Sequence, residues 1–310
     1  MIIYTDNIDC AERFLAGKNI AWKRSSIRED IGIAPLTDRI FGKRDLFTST
    51  MAYQETWSHL LIARSASESQ YDILVNLGRK NIPLPHGIIC LAGEGHKFHG
   101  FKGRHWDSPE GNIYLSAHFT PKMPVENYGV GFTILAAVSV IAAIDEIVGL
   151  SYRASIKWVN DILIDGAKVC GVLAHTIAEN DNVTNAIIGI GLNVETTPHP
   201  EPTIFVPKVA SLNDFSPNPD LYTRGILFES LTKSIHKNYS ALIKGGYRGL
   251  LNRYRERSSV IGRDVAIYDD SDNDIPTKIT EGRVASIGDN LELILEGREK
   301  AIKRGRLEFK

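Results

Sequence analysis

The sequence predicts an α+β chain, a mixed sheet with helices packed on it, followed by a small β-rich unit. Three observations carry this. From residue 56, strand-like apolar runs alternate with helix-like periodic ones, which builds a sheet dressed with helices. Residues 130–144 are almost wholly apolar before Asp145 and Glu146, and a bilayer span needs roughly 18–20 such residues, so they read as a buried core helix. Beyond Arg255 come short alternating strands separated by Asp, Asn and Gly turns, the text of a small barrel or sandwich. These shifts divide the chain into an N-terminal stretch 1–55, a central domain 56–258 and a C-terminal unit 259–310.

Taken in order, residues 1–4 read as a strand and 6–15 as a helix opened by an Asn or Asp cap. Residues 27–47 carry Pro and Gly breaks and no period, and no pair of short helices with a Gly turn occurs, which speaks against a helix-turn-helix. Residues 58–66 form a strand and 67–80 a capped helix ending near Gly78. Strands at 87–94 and 111–119 flank a loop rich in Gly and His. Residues 155–179 read strand, turn, strand, with Asp165-Gly166 as a tight hairpin turn. The strand at 185–194 contains Gly189 and Gly191, whose missing side chains suggest close approach of a ligand or another backbone. A Pro-rich loop leads to a helix over 221–243, and strands follow at 260–270, 277–288, 289–297 and 300–309.

Composition excludes several classes. Lys plus Arg number 36 against 37 Asp plus Glu, so no global charge drives the chain toward nucleic acid or an anionic membrane. Neither sequence-specific DNA nor membrane is expected as a partner. Cys10, Cys90 and Cys170 are too few and scattered for a disulfide framework or a Cys-based zinc site. The first residues lack a basic segment leading an apolar run, and the expected location is cytoplasmic. No GxSxG, HExxH or P-loop motif occurs. His96, His99, His105 and His118 cluster, but without the spacing and support of a metal site.

The densest constellation is Lys157-Trp158-Val159-Asn160-Asp161, followed by Lys168, Gly171 and Leu173 in one hairpin. Upstream stand Gly103-Arg104-His105-Trp106 and the run from Ser108 to Ser116, and downstream Gly189, Gly191 and Asn193. In order and spacing this set resembles the biotin protein ligase family, whose patterns are GRGRxGRxW, SPxGNLYxS, KWPND, KxxGxL and GxGxN. The resemblance covers residues 60–200 well and the C-terminal unit more loosely. It implies the mixed-sheet fold shared by class II tRNA synthetases and lipoate ligases, with an SH3-like C-terminal barrel. It implies ATP, Mg²⁺ and biotin as substrates and cofactor, a biotin carboxyl carrier domain as partner, and a monomer or homodimer.

Chemistry supports the same reading. Joining a carboxylate to an α-phosphate brings two negative groups together, and the attack needs electrostatic help. A Lys supplies a compact, mobile positive charge, and Lys168 follows a tight turn beside Gly-containing backbone. Hard oxygens suit Mg²⁺, which makes Asp161, with Asn160, the candidate for the metal and phosphate side. Trp158 reads as packing. The resemblance implies Lys168, Arg104 and Lys102 as catalytic. It implies Ser67, Ser69, Gly100, Tyr114, Lys168, Gly171, Gly189 and Gly191 for biotin, with Gly189 and Gly191 keeping the sheet open beneath the ligand. It implies Arg104, Trp106, Lys157, Asn160 and Asn193 for ATP.

One loop departs from the pattern. Aligned back from Trp106, two Arg positions are His99 and Phe101, a Gly position is Phe98, and the Gln upstream falls on Gly95. The family's Ser-Thr-Asn stands as Ser67-Glu68-Ser69. Lys does not reproduce the paired donors of an Arg fork, so Lys97 and Lys102 predict a looser hold on an acyl-adenylate. Two alternatives stay open: a lipoyl or octanoyl ligase of the same fold, and a non-catalytic paralogue that binds biotin or a carrier.

Overall fold

The computed structural model describes residues 1–15, 18–25, 31–216, 218, 222–269 and 276–310. Residues 221 and 270, where the sequence reading begins a helix and ends a strand, lie outside them.

The chain opens with β1 (Ile2–Thr5), α1 (Ile8–Phe14), β2 (Lys23–Ser25), α2 (Ala34–Phe41) and β3 (Leu46–Thr50). Asn7 caps α1 by accepting the Cys10 amide. The aperiodic stretch holds α2, which carries Pro35 in its first turn, where no amide partner is needed. Next come β4 (His59–Ala66), α3 (Gln70–Arg79), β5 (Ile88–Gly95), β6 (Ile113–Phe119), β7 (Met123–Pro124) and α4 (Tyr128–Asp145). Then follow β8 (Ala154–Lys157), β9 (Asp161–Ile164), β10 (Ala167–Glu179), β11 (Asn182–Leu192), α5 (Arg224–Ile243) and α6 (Tyr247–Glu256). The chain closes with β12 (Asp264–Tyr268), β13 (Lys278–Ile287), β14 (Leu293–Leu295) and β15 (Arg306–Phe309).

One mixed sheet runs β2-β3-β1-β4-β5-β6-β11-β10-β9-β8, with β7 beside β11. The pairs β1–β4 and β4–β5 are parallel and the other pairs antiparallel. The N-terminal stretch thus adds three strands to the same sheet. Alternation along β4 divides the core. Leu60 and Ile62 face a cluster with Phe14, Phe132, Leu231 and Tyr254, whereas Leu61 and Ala63 face Leu36, Phe41, Ile73 and Leu74. So α1, α4, α5 and α6 cover one face, and α2 and α3 cover part of the other. The apolar helix α4 is buried against β10, β11 and α5, as its composition predicts.

The C-terminal residues form a separate four-stranded sheet, β14-β13-β12-β15. It is fastened to the main sheet where Trp158 Nε1 donates to the Leu291 carbonyl at 2.6 Å.

Candidate active site

A cavity of about 480 Å³ opens on the α2–α3 face, beyond the N-terminus of α3. Its floor is a row of directly paired residues crossing five strands of the sheet. Lys157 pairs with Asp161, Asp161 with Gly171, Gly171 with Gly191, and Gly191 with Tyr114. Directly opposed residues in neighbouring strands point to the same face, so one line of side chains carries charge at one end and an aromatic ring at the other.

Lys168 joins this line through an irregularity. Residues 168 and 171 differ by an odd number, and regular strand alternation would set them on opposite faces. The β9–β10 pairing slips by one residue between Lys168 and Cys170, a bulge. Lys168 Cε consequently lies 3.6 Å from where a Gly171 Cβ would stand. The turn before it has Asp165 at φ 49° and Gly166 at φ 80°, the double positive φ of a type I′ hairpin.

The charged end is crowded. Lys168 Nζ is 2.7 Å from Asp161 Oδ1 and 5.0 Å above the Trp106 ring. Lys157 is buried, donates to the Phe205 carbonyl and stands over the Phe309 ring. Burial pushes its ammonium down to about 8, with the charges of Lys168, Arg306 and Arg104 adding to the depression and Asp161 opposing it. Asn160 Nδ2 donates to the Val172 carbonyl at 2.7 Å, which fixes the turn to β10. Arg306, from the C-terminal sheet, also lines the cavity.

Two buried polar atoms among these residues have no partner: Trp106 Nε1, a donor, and Asn193 Oδ1, an acceptor. Asn193 is fully buried, and its Nδ2 donates to the Ala210 carbonyl at 3.0 Å, so the amide orientation is set. Leaving such groups unpaired costs about 1–3 kcal/mol each, and both residues line the cavity.

The loop from Phe98 to Trp106 folds over the floor as a narrow hairpin. Gly100 N donates to the Arg104 carbonyl at 2.7 Å and Trp106 N to the Phe98 carbonyl at 2.9 Å. His99 Nε2 lies 2.6 Å from Asp72 Oδ2 and its Nδ1 is 3.0 Å from the Gly100 carbonyl. Partial burial lowers the His99 pKa, but the Gly100 carbonyl and Asp72 outweigh it, and the net shift is upward. Arg104 Nε donates to the Phe101 carbonyl, with its guanidinium 5.9 Å above that ring.

The cavity collects Ser69, Gly100, Arg104, Trp106, Tyr114 and Lys157, and with them Asn160, Asp161, Lys168, Gly171, Gly189, Gly191 and Asn193. Two expected residues fall outside its lining. Ser67 is exposed, on the turn before α3, and Lys102 is exposed at the loop tip with φ 56°. The glycines differ from expectation too. A Cβ on Gly191 would stand 2.8 Å from the Trp106 indole, and one on Gly189 3.0 Å from Tyr71. The room they leave is filled by the protein's own rings. The sequence reading missed Tyr71, Phe98 and Phe205 as lining residues. Tyr71 and Phe205 carry no spacing signal, whereas Phe98 is visible as a departure from the motif.

Among the described residues no group of three or more His, Cys, Asp or Glu is placed to hold a metal.

The profile of the biotin/lipoate A/B protein ligase family matches residues 65–193. The bifunctional ligase/repressor BirA of Bacillus subtilis is 40% identical over 119 residues, 38% of this chain and 36% of that protein. Biotin–protein ligase 2 of Arabidopsis thaliana is 25% identical over 221 residues, 67% of this chain and 64% of that protein. The chain therefore spans little more than a third of the first relative's length. The biotin protein ligase of Aquifex aeolicus, solved in complex with biotin and ATP, superposes with TM-score 0.63 and 21% identity over 82% of this chain and 99% of that one.

Proposed function

We propose, for a chain whose residues 65–193 match the profile of the biotin/lipoate A/B protein ligase family, that it is an ATP-dependent biotin protein ligase. The carboxylate of biotin attacks the α-phosphorus of ATP, forming biotinyl-adenylate and releasing pyrophosphate. A lysine amine of a biotin carboxyl carrier domain then attacks the acyl carbon and AMP leaves. Splitting the reaction turns a poor leaving oxygen into a good one before the amine arrives.

The observation that carries this is the convergence of Lys168, Lys157 and Arg104 on one cavity that also holds an unpaired donor and an unpaired acceptor. Lys168 stands where a carboxylate and a phosphate can share its charge, and Asp161 keeps its ammonium aimed along the floor. A nucleobase edge offers both an acceptor and a donor, which is what Trp106 Nε1 and Asn193 Oδ1 lack. The residues fit Mg²⁺ arriving on the nucleotide phosphates, because that ion needs only one or two protein carboxylates and Asp161 supplies one. There it would neutralise phosphate charge.

The C-terminal sheet reads as an SH3-like unit that closes on the nucleotide end, since Arg306 and Leu307 reach the cavity. Pyrophosphate release from ATP on adding biotin, followed by label transfer to a carrier domain, tests the proposal. Binding of biotin without release would favour a non-catalytic paralogue.

A further inference from the structure

The floor row does not stop at Tyr114. Tyr114 pairs with Ala92, and Ala92 with Ala63. At this end the cavity is walled by a small apolar cluster, in which Phe98 packs with Ala66, Ala92 and Tyr114 and with Trp106 beside it. Phe98 is 8% exposed and meets Tyr114 edge to face, with centroids 5.7 Å apart. It sits in a seat made by Gly95: a Cβ there would come within 2.5 Å of the ring. The sequence has exchanged sizes at two positions, a small residue at 95 and a large one at 98. The polar hydroxyl nearby is already used, because Tyr114 donates to the Pro109 carbonyl at 2.8 Å.

The Lys and Arg side chains of the cavity gather at the opposite end of the row, where Lys157 ends it, Lys168 pairs with Asp161, and Arg104 and Arg306 are near enough to depress Lys157. A carboxylic acid whose carboxylate goes to those cations must point its tail toward Tyr114 and Phe98. We propose that Phe98 is the specificity-determining residue of the acid site. Its ring closes the tail end of the cavity, so that acids whose tail stops short of the ring are taken and longer ones are rejected. This rests on the adenylating reading for the orientation of the acid.

The test is direct binding of biotin, octanoate and dodecanoate, each alone, to the full chain by titration calorimetry, in wild type, Phe98→Ala and Phe98→Leu. One methylene in an apolar pocket separates ligands by about 10- to 200-fold, so wild type should bind octanoate at least about tenfold more tightly than dodecanoate. In Phe98→Ala that ratio should fall by about tenfold or more, and in Phe98→Leu, which keeps an apolar side chain in the seat, by less. A ratio unchanged in both variants, or no binding of any acid by wild type, overturns the inference. Selectivity that follows Phe98 while ATP is never turned over would keep this inference and remove the ligase reading.

Discussion

Lys168 Nζ and Asp161 Oδ1 stand 2.7 Å apart on the cavity floor, with the Trp106 ring 5.0 Å from the same nitrogen. The pair exists because the β10 bulge turns Lys168 onto the face that Asp161 and Gly171 already occupy. If this ammonium neutralises charge as the carboxylate meets the phosphate, Lys168→Ala should lower pyrophosphate release by about 10²-fold or more. The fold should survive, since the side chain lines the cavity and stands outside the apolar core clusters. Circular dichroism and a steady-state release assay check both halves, and unchanged release removes Lys168 from the mechanism.

Gly191 tests the indole. A methyl group there would lie 2.8 Å from Trp106, closer than real Cβ contacts allow, so Gly191→Ala should displace the ring from the floor. ATP affinity should drop by roughly tenfold or more, about 1.4 kcal/mol, with a smaller change in affinity for biotin alone. Equal losses for both ligands would mean that Trp106 is only a wall.

The His99–Asp72 contact predicts a pH response in the loop. Because the folded-state pKa of His99 is raised, the charged clip is complete below the ordinary His range and is lost as pH rises through the raised value. Amide exchange at residues 98–106 should therefore quicken across that interval, and in Asp72→Asn the step should move to lower pH. A profile that ignores Asp72→Asn would separate loop closure from this pair.

Phe101 is 46% exposed at a position where the family pattern has Arg. A charge-assisted fork to phosphate is worth about 1.5–3 kcal/mol, so Phe101→Arg should slow escape of the acyl-adenylate by roughly ten- to a hundredfold. Equal or faster release would show that the aromatic loop is itself the lid.

Much of this was legible in the text. The alternation of β4, the apolar α4 and the Asp165-Gly166 turn all follow from local pattern, and the KWxND and KxxG motifs named the charged end of the cavity. What pattern could not supply was the geometry of Lys168 and Gly171, because strict alternation would have separated them until the bulge is known. The strands at residues 23–25 and 46–50 were equally hidden, being short segments at one side of the sheet whose partners are remote in sequence. Gly189 and Gly191 signalled close approach, yet which group approaches, a ligand or Tyr71 and Trp106, depends on how the loop and α3 pack.

The most direct measurement is pyrophosphate release from ATP by the full chain with biotin, lipoate and octanoate in parallel, followed by acyl transfer to a carrier domain. The account predicts release that depends on ATP and is greatest with biotin, and labelling of the carrier lysine. Release with no acid, or biotin bound without any release, would contradict it.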